Sequence, residues 1–218
     1  AILDDFENLF LTIIGEGQAA QRLPNGLWVG SLTHFNSLKG YWVEVSEDMD
    51  FQWYYNEHLI RSHNDYQKPK VYLNLDEFKY SQSMQQAFYF FKNIIIDDQE
   101  LRSDDWIIAY NNDVVVGYSK YSGEFVDVPV MGYDGYSNTS NYCNPGDIPS
   151  FKIFRESSGE LINMIPNDTF EWSNNQIYNI ESLSEHLLPD SPVLLEAYPN
   201  PFNPTTSISF EISEYSHA

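Results

Sequence analysis

A single cysteine, Cys143, leaves no partner for an intrachain disulfide and cannot build a cysteine-based zinc cluster. Basic residues are scarce too: 11 Lys and Arg stand against 32 Asp and Glu, a formal net charge of -21. A surface that acidic repels phosphate backbones and anionic headgroups, so nucleic acid and a membrane surface are not expected as partners. No run approaches the ~18 apolar residues of a spanning helix, and no basic, apolar-cored leader opens the chain, so membrane insertion is not expected either. Also missing is any helical period sustained over ~12 residues. There is no initiator Met: Ala1 opens inside the phrase "AILDDFENLF", which suggests a mature or trimmed product, or a piece of a longer chain.

What is present is apolar and aromatic. Of 218 residues 42% are hydrophobic and 16% aromatic, enough to bury a substantial core. Strand-like phrases follow one another between Gly, Pro and Asn turn signals. Residues 1–53 hold "LTIIGEGQAA", "PNGLWVGSL" and "KGYWVEV", a small β-rich unit with Trp28 and Trp42 expected in its core. Residues 54–70 show no sustained period and read as a connector. Residues 71–183 hold "KVYLNLDEF", "QAFYFFKNIII", "DWIIAYNNDVVVGYSKY", "EFVDVPVMGY", "FKIFRESSGELINMI" and "QIYNIESL". Two of these phrases fold back on themselves, at Asn111 to Asp113 and at Ser157 to Gly159, residues that tolerate a positive φ in tight turns. The expected fold is all-β: the small N-terminal unit plus a larger antiparallel β-sandwich, with Phe88, Phe90, Trp106, Ile108 and Phe151 buried. Residues 184–197 read as a linker. In 198–218 a Pro- and Asn-rich turn feeds the alternating strand Ser207 to Ile212.

Complete catalytic motifs are not found. "GEGQAA" lacks the frame and the lysine of a phosphate loop, and Ser31 is not in a nucleophile elbow. His58 and His63 stand five apart, off the spacing that puts two imidazoles on one helix face. Asp104 and Asp105 read as a turn leading into a strand. Paired carboxylates of a glycosidase are defined by separation in space, so among 32 acids such a pair stays open. The loop Gly132 to Asp147, "GYDGYSNTSNYCNPGD", carries the sharpest signal. Asp134, Asn138, Asn141 and Asp147 offer closely spaced oxygen ligands of the kind a hard cation such as calcium takes. Tyr133, Tyr136 and Tyr142 among them offer ring faces with polar tips that suit sugars. The same Asn, Asp and Gly content also serves simply to turn a long sandwich loop, and the lone thiol of Cys143 reads as unpaired.

Three stretches carry resemblances. "IIGEGQAAQRLPNGLWVGSLTHFNSLKGYWVEV", closing on Lys39-Gly40-Tyr41-Trp42, is similar to a β module of surface and secreted proteins from Bacteroidota-like and related marine bacteria. The opening strand of that module is not in the chain, which implies that the polypeptide continues upstream of Ala1. "SDDWIIAYNNDVVVGYSKY", "DVPVMGYDG" and "NPGDIPSFKIF" resemble a repeated exported β domain. "YPNPFNPTTSISFEI" closely resembles the start of the C-terminal sorting domain of type IX secretion, a small Ig-like sandwich that takes proteins across the outer membrane. Only its first strand is present, so the chain reads as cut at Ala218, and that strand is expected to pair with the main sandwich or with a second molecule, or to be disordered.

These resemblances imply an extracellular or outer-surface location and a contact with the secretion machinery. The function expected is a non-catalytic part of an exported protein, serving adhesion, glycan binding or spacing, with a polysaccharide or another cell-surface component as partner. The alternative is an accessory part of a secreted hydrolase whose catalytic domain lies upstream or uses carboxylates of the sandwich.

Overall fold

The computed structural model describes residues 9–36, 38–48, 73, 76–96, 101–185, 193–194 and 210–211. Among them helical structure is limited to short 3-10 turns, and the chain is all-β. The N-terminal strands are β1 (Phe10–Gly15), β2 (Gln18–Arg22), β3 (Trp28–Val29) and β4 (Trp42–Val45), in the spatial order β3-β2-β1-β4. "GEGQAA" is therefore the β1–β2 hairpin, turning at Glu16 and Gly17, where Gly17 takes a φ of 65°. The larger sheet contains β5 (Gln86–Ile95), β6 (Trp106–Asn111), β7 (Val114–Lys120), β8 (Val126–Met131), β9 (Ser150–Arg155), β10 (Glu160–Pro166) and β11 (Ile177–Ser184). Its order is β7-β6-β9-β10-β11-β5-β8.

Both hairpins form where the turn residues lie. β6 pairs antiparallel with β7 across Asn112 and Asp113, with Asn112 at a φ of 52°. β9 pairs with β10 across a turn closed by Gly159, at a φ of 72°. Asp105 accepts the Arg102 N–H at 2.8 Å on its carboxylate, the turn expected ahead of Trp106.

The sheet folds over itself into a sandwich. Glu160 to Met164 of β10 pair with β9, whereas Ile165 and Pro166 pair with β11, so β10 passes from one layer to the other. Between the layers lie Tyr89, Phe91, Ile107, Val128, Ile153 and Trp172, all buried. The Trp172 indole N–H donates to the Val130 carbonyl at 3.0 Å. The two end strands of the order also meet. A Cβ on Gly117 of β7 would lie 1.7 Å from the Pro129 carbonyl oxygen of β8. Pro129 itself sits on an edge strand, where a missing N–H is tolerated.

One pairing departs from the antiparallel sandwich expected: β5 and β11 run parallel, with Phe88 opposite Ile177 and Ile95 opposite Ser184. Parallel neighbours need a long connection, and β6 to β10 supply it. Neither periodicity nor turn residues specify which distant strands become neighbours.

β5 reads as continuously apolar because both its faces are covered. Tyr89 and Phe91 face the sandwich interior; Phe88 and Phe90 face the N-terminal sheet, against Ile14 and Ala19. Burying each of those two rings contributes on the order of 1.5–3 kcal/mol. Polar groups fix the register of that contact. Gln86 donates to the Gly15 carbonyl at 2.7 Å and accepts the Gly17 N–H at 3.0 Å, while Gln21 donates to Asn179 at 2.5 Å. On the other outer face, Trp106, Ile108 and Phe154 are covered by Leu73 and Phe78. There the alternation of "KVYLNLDEF" suggested a strand. Asp76–Phe78 instead make a single 3-10 turn, and the rest of the phrase apart from Leu73 lies outside the described residues.

Phe88, Phe90, Trp106, Ile108 and Phe151 are buried as expected. The two tryptophans of the first unit are not. Trp28 is half-buried on a two-residue edge strand, and Trp42 is 64% exposed. β4 is also an edge strand, and its alternation puts Trp42 and Glu44 outward and Val43 and Val45 inward. At the other end of the chain, Phe210–Glu211 (β13) pairs antiparallel with Val193–Leu194 (β12), inside the stretch read as a linker, and not with the main sandwich. The remainder of 198–218, the connector 54–70 and its histidines lie outside the described residues.

Candidate functional site

The loop Gly132 to Asp147 is tied at its base by a bridge between Gly132 and Cys143, with the Tyr133 N–H donating to the Cys143 carbonyl at 2.9 Å. Gly132 is required there, because a Cβ would lie 2.2 Å from the Trp172 ring. Within the loop, Ser137–Thr139 form a 3-10 turn. Asp134 organises it. One carboxylate oxygen accepts the Thr139 hydroxyl at 2.6 Å and the Tyr136 N–H at 3.3 Å, and the other accepts the Met84 N–H at 3.1 Å. The Thr139 hydrogen bond leads in holding this carboxyl below its ordinary pKa.

The three tyrosines part company. Tyr133 is 43% and Tyr136 61% exposed, but Tyr142 is only 5% exposed and its phenol oxygen accepts the Ser81 N–H at 2.7 Å. Tyr142 is thus a core residue and offers no face to a sugar. Cys143 beside it is wholly buried and free, and burial pushes its thiol up to about 12, which keeps it protonated and unreactive.

The four oxygen-bearing residues divide as well. Asp134 and Asn138 line one cleft, Asn141 and Asp147 another depression at the tip of the β6–β7 hairpin. In the latter, Asp147 already accepts the Asn144 N–H at 2.9 Å and the Asn111 amide at 3.3 Å. The set does not converge on one point. Among the described residues no three His, Cys, Asp or Glu side chains gather to hold a metal ion.

The cleft beside Asp134 encloses about 730 Å³ between the loop, the start of β5 and β4 of the N-terminal sheet. Trp42, Met84 and Tyr136, exposed by 64, 68 and 61%, line it together with Glu16, Gln82 and Asn138. A second cleft of about 340 Å³ shares Gly15, Glu16 and Gln82 with the first, and continues past Tyr41 and Tyr80 to Tyr118. Both volumes fall in the roughly 300–1,000 Å³ range of small-molecule sites. Lys39, the single cation among the described residues lining either cleft, is ion-paired with Glu16, which raises its pKa through that hydrogen bond. Tyr41 is set by packing: its phenol oxygen accepts the Asn36 N–H at 2.7 Å, its ring stands edge-on to Phe35, and it presses on Gly15.

Sequence reasoning found Tyr136, Asp134 and Asn138 of this cleft and missed Trp42, Glu16, Gln82 and Met84. A signal for Trp42 existed, since the alternation Trp-Val-Glu-Val places it on the same face as Glu44.

One further carboxylate is perturbed, and it lines neither cleft. Asp127, on the outer face of β8, is 4% exposed between the two sheets and accepts the Ser31 hydroxyl at 2.5 Å. Burial pushes its pKa up to about 6, against the pull of hydrogen bonds from the Ser31 side chain and from backbone groups including Ala19 and Ser31.

No family model matches this chain, and neither a curated protein nor a solved structure matches it.

Proposed function

We propose that this chain is a non-catalytic β-sandwich region of an exported protein that binds polysaccharide at the cell surface, through the cleft between β4 and the Gly132 to Asp147 loop. The observation that carries the reading is Trp42 and Tyr136 standing exposed on the walls of one concavity beside Gln82, Asp134 and Asn138. Large aromatic faces left in water together, with hydroxyl-seeking amides and a carboxylate next to them, suit the apolar faces and hydroxyl rims of sugar rings. Export, an outer-surface location and delivery by type IX secretion rest on the sequence resemblances, above all on "YPNPFNPTTSISFEI".

Binding without hydrolysis is favoured by the state of the acids. A glycosidase needs one carboxyl held protonated near neutrality at the scissile bond. Among the described residues, Asp134 is instead driven toward ionisation, and Asp127, whose carboxyl is pushed up, is sealed between the sheets. An accessory role beside a catalytic domain elsewhere in the protein uses the same cleft.

Affinity electrophoresis through gels containing soluble neutral polysaccharides tests this. The wild type should be retarded by at least one of them, and Trp42→Ala should weaken that retention by about tenfold or more. Trp42 is largely in water, so the thermal midpoint should hardly move. Equal retention of the two proteins, or no retention of the wild type, would refute the proposal.

A further inference from the structure

The two clefts share Gly15, Glu16 and Gln82, so they meet at the β1–β2 turn, and aromatic side chains line each of them: the exposed Trp42 and Tyr136 on one side, the half-buried Tyr41 and Tyr80 on the other. We infer that they form one continuous groove holding internal units of a linear, uncharged glycan chain laid across the Glu16 turn; this rests on the glycan reading above. A site for a chain end would be a single closed pocket. Here two open clefts abut at Gly15, Glu16 and Gln82, an arrangement that would let a polymer lie across both.

Charge selects the class of glycan. Asp134 stays ionised in the groove, and Glu16 has already engaged Lys39. A uronate or sulfated sugar would meet that negative charge, with no unpaired cation among the described lining residues to receive it, on a chain of net charge -21. Hydroxyl groups of a neutral sugar can donate to Asp134 and Glu16 and exchange hydrogen bonds with Gln18 and Gln82.

The test is calorimetric titration with linear neutral gluco-, manno- and xylo-oligosaccharides graded from dimer to octamer, and with oligouronates of matching length. For a sugar that binds, affinity should rise by about tenfold or more from dimer to hexamer, and the matching oligouronates should bind about tenfold more weakly. Gln18→Trp, which fills the second cleft, should abolish the gain with length. Gln18 pairs with Gly15 in the hairpin, so Lys39→Trp, at an exposed position in the same cleft, serves where that variant does not fold. Affinity independent of length, a gain that survives filling of the second cleft, or equal binding of oligouronates would overturn the continuous neutral groove and leave glycan binding standing. Failure of every neutral oligosaccharide to bind would remove both.

Discussion

Gly117→Ala should unfold this protein or come close to it. The position lies mid-strand in β7, where an ordinary backbone would accept alanine with a slight gain in strand preference. What forbids it is the neighbour. A Cβ would sit 1.7 Å from the Pro129 carbonyl oxygen and 2.8 Å from its carbon, and both atoms belong to the backbone of β8. A flexible side chain could swing aside; a strand hydrogen-bonded to β5 along its length cannot move without breaking that ladder. The cost should therefore exceed the ~1–3 kcal/mol usual for an overpacked core, against a total stability of about 5–15 kcal/mol. Urea unfolding followed by tryptophan fluorescence will show it as a collapsed midpoint or as no folded baseline. Gly40→Ala, where an added Cβ meets nothing within 4 Å, should leave the midpoint unchanged. A Gly117→Ala protein as stable as the wild type would mean that β7 and β8 do not cross there.

The second large effect concerns pH. In the unfolded chain Asp127 titrates near 3.8, whereas between the two sheets its pKa is pushed up to about 6. In that interval the folded state holds a proton that the unfolded state has released, so stability falls as pH rises from about 3.8 to about 6 and is level above. At 1.36 kcal/mol per unit the loss is about 3 kcal/mol. Asp127→Asn carries no proton to lose. Whatever the amide costs against the backbone donors around it, it costs equally at every pH. The stability difference between variant and wild type should therefore shift by about 2 kcal/mol in favour of the variant between pH 4 and pH 7, with the other carboxylates cancelling in the comparison. Parallel denaturation curves at the two pH values measure it, and a difference independent of pH would show that Asp127 is not buried in the ionisable state described.

How far the sequence spoke for itself varied with the range of the interaction. The β6–β7 hairpin was legible because Asn112 and Asp113 between two apolar runs act locally, through φ. β5 was legible as a buried strand because ten residues from Gln86 to Ile95 are dominated by apolar side chains. Its parallel partner was not, since the choice of β11 depends on how the whole sheet closes. Within the site, Asp134 and Tyr136 stood out by composition alone. Trp42 did not, because a tryptophan in a strand is more often core, and only its register with Glu44 put it on the open face. Tyr142 shows the opposite error: set among polar loop residues, it turns inward because Cys143 beside it pairs with Gly132.

The direction of β5 and β11 also decides how the sandwich bears load. Because the two strands run the same way over seven paired residues, the start of β5 and the end of β11 lie at opposite ends of the ladder. Tension entering the chain ahead of Gln86 and leaving it beyond Ser184 slides one strand along the other, so the bonds between them resist together in shear. The same tension applied to the two free ends of an antiparallel hairpin such as β6–β7 would open its bonds one after another, like a zip. In the glycan-holding role proposed above, the limit under flow would be the rate of forced unfolding, not equilibrium stability, and a pull along this path would load the parallel pair.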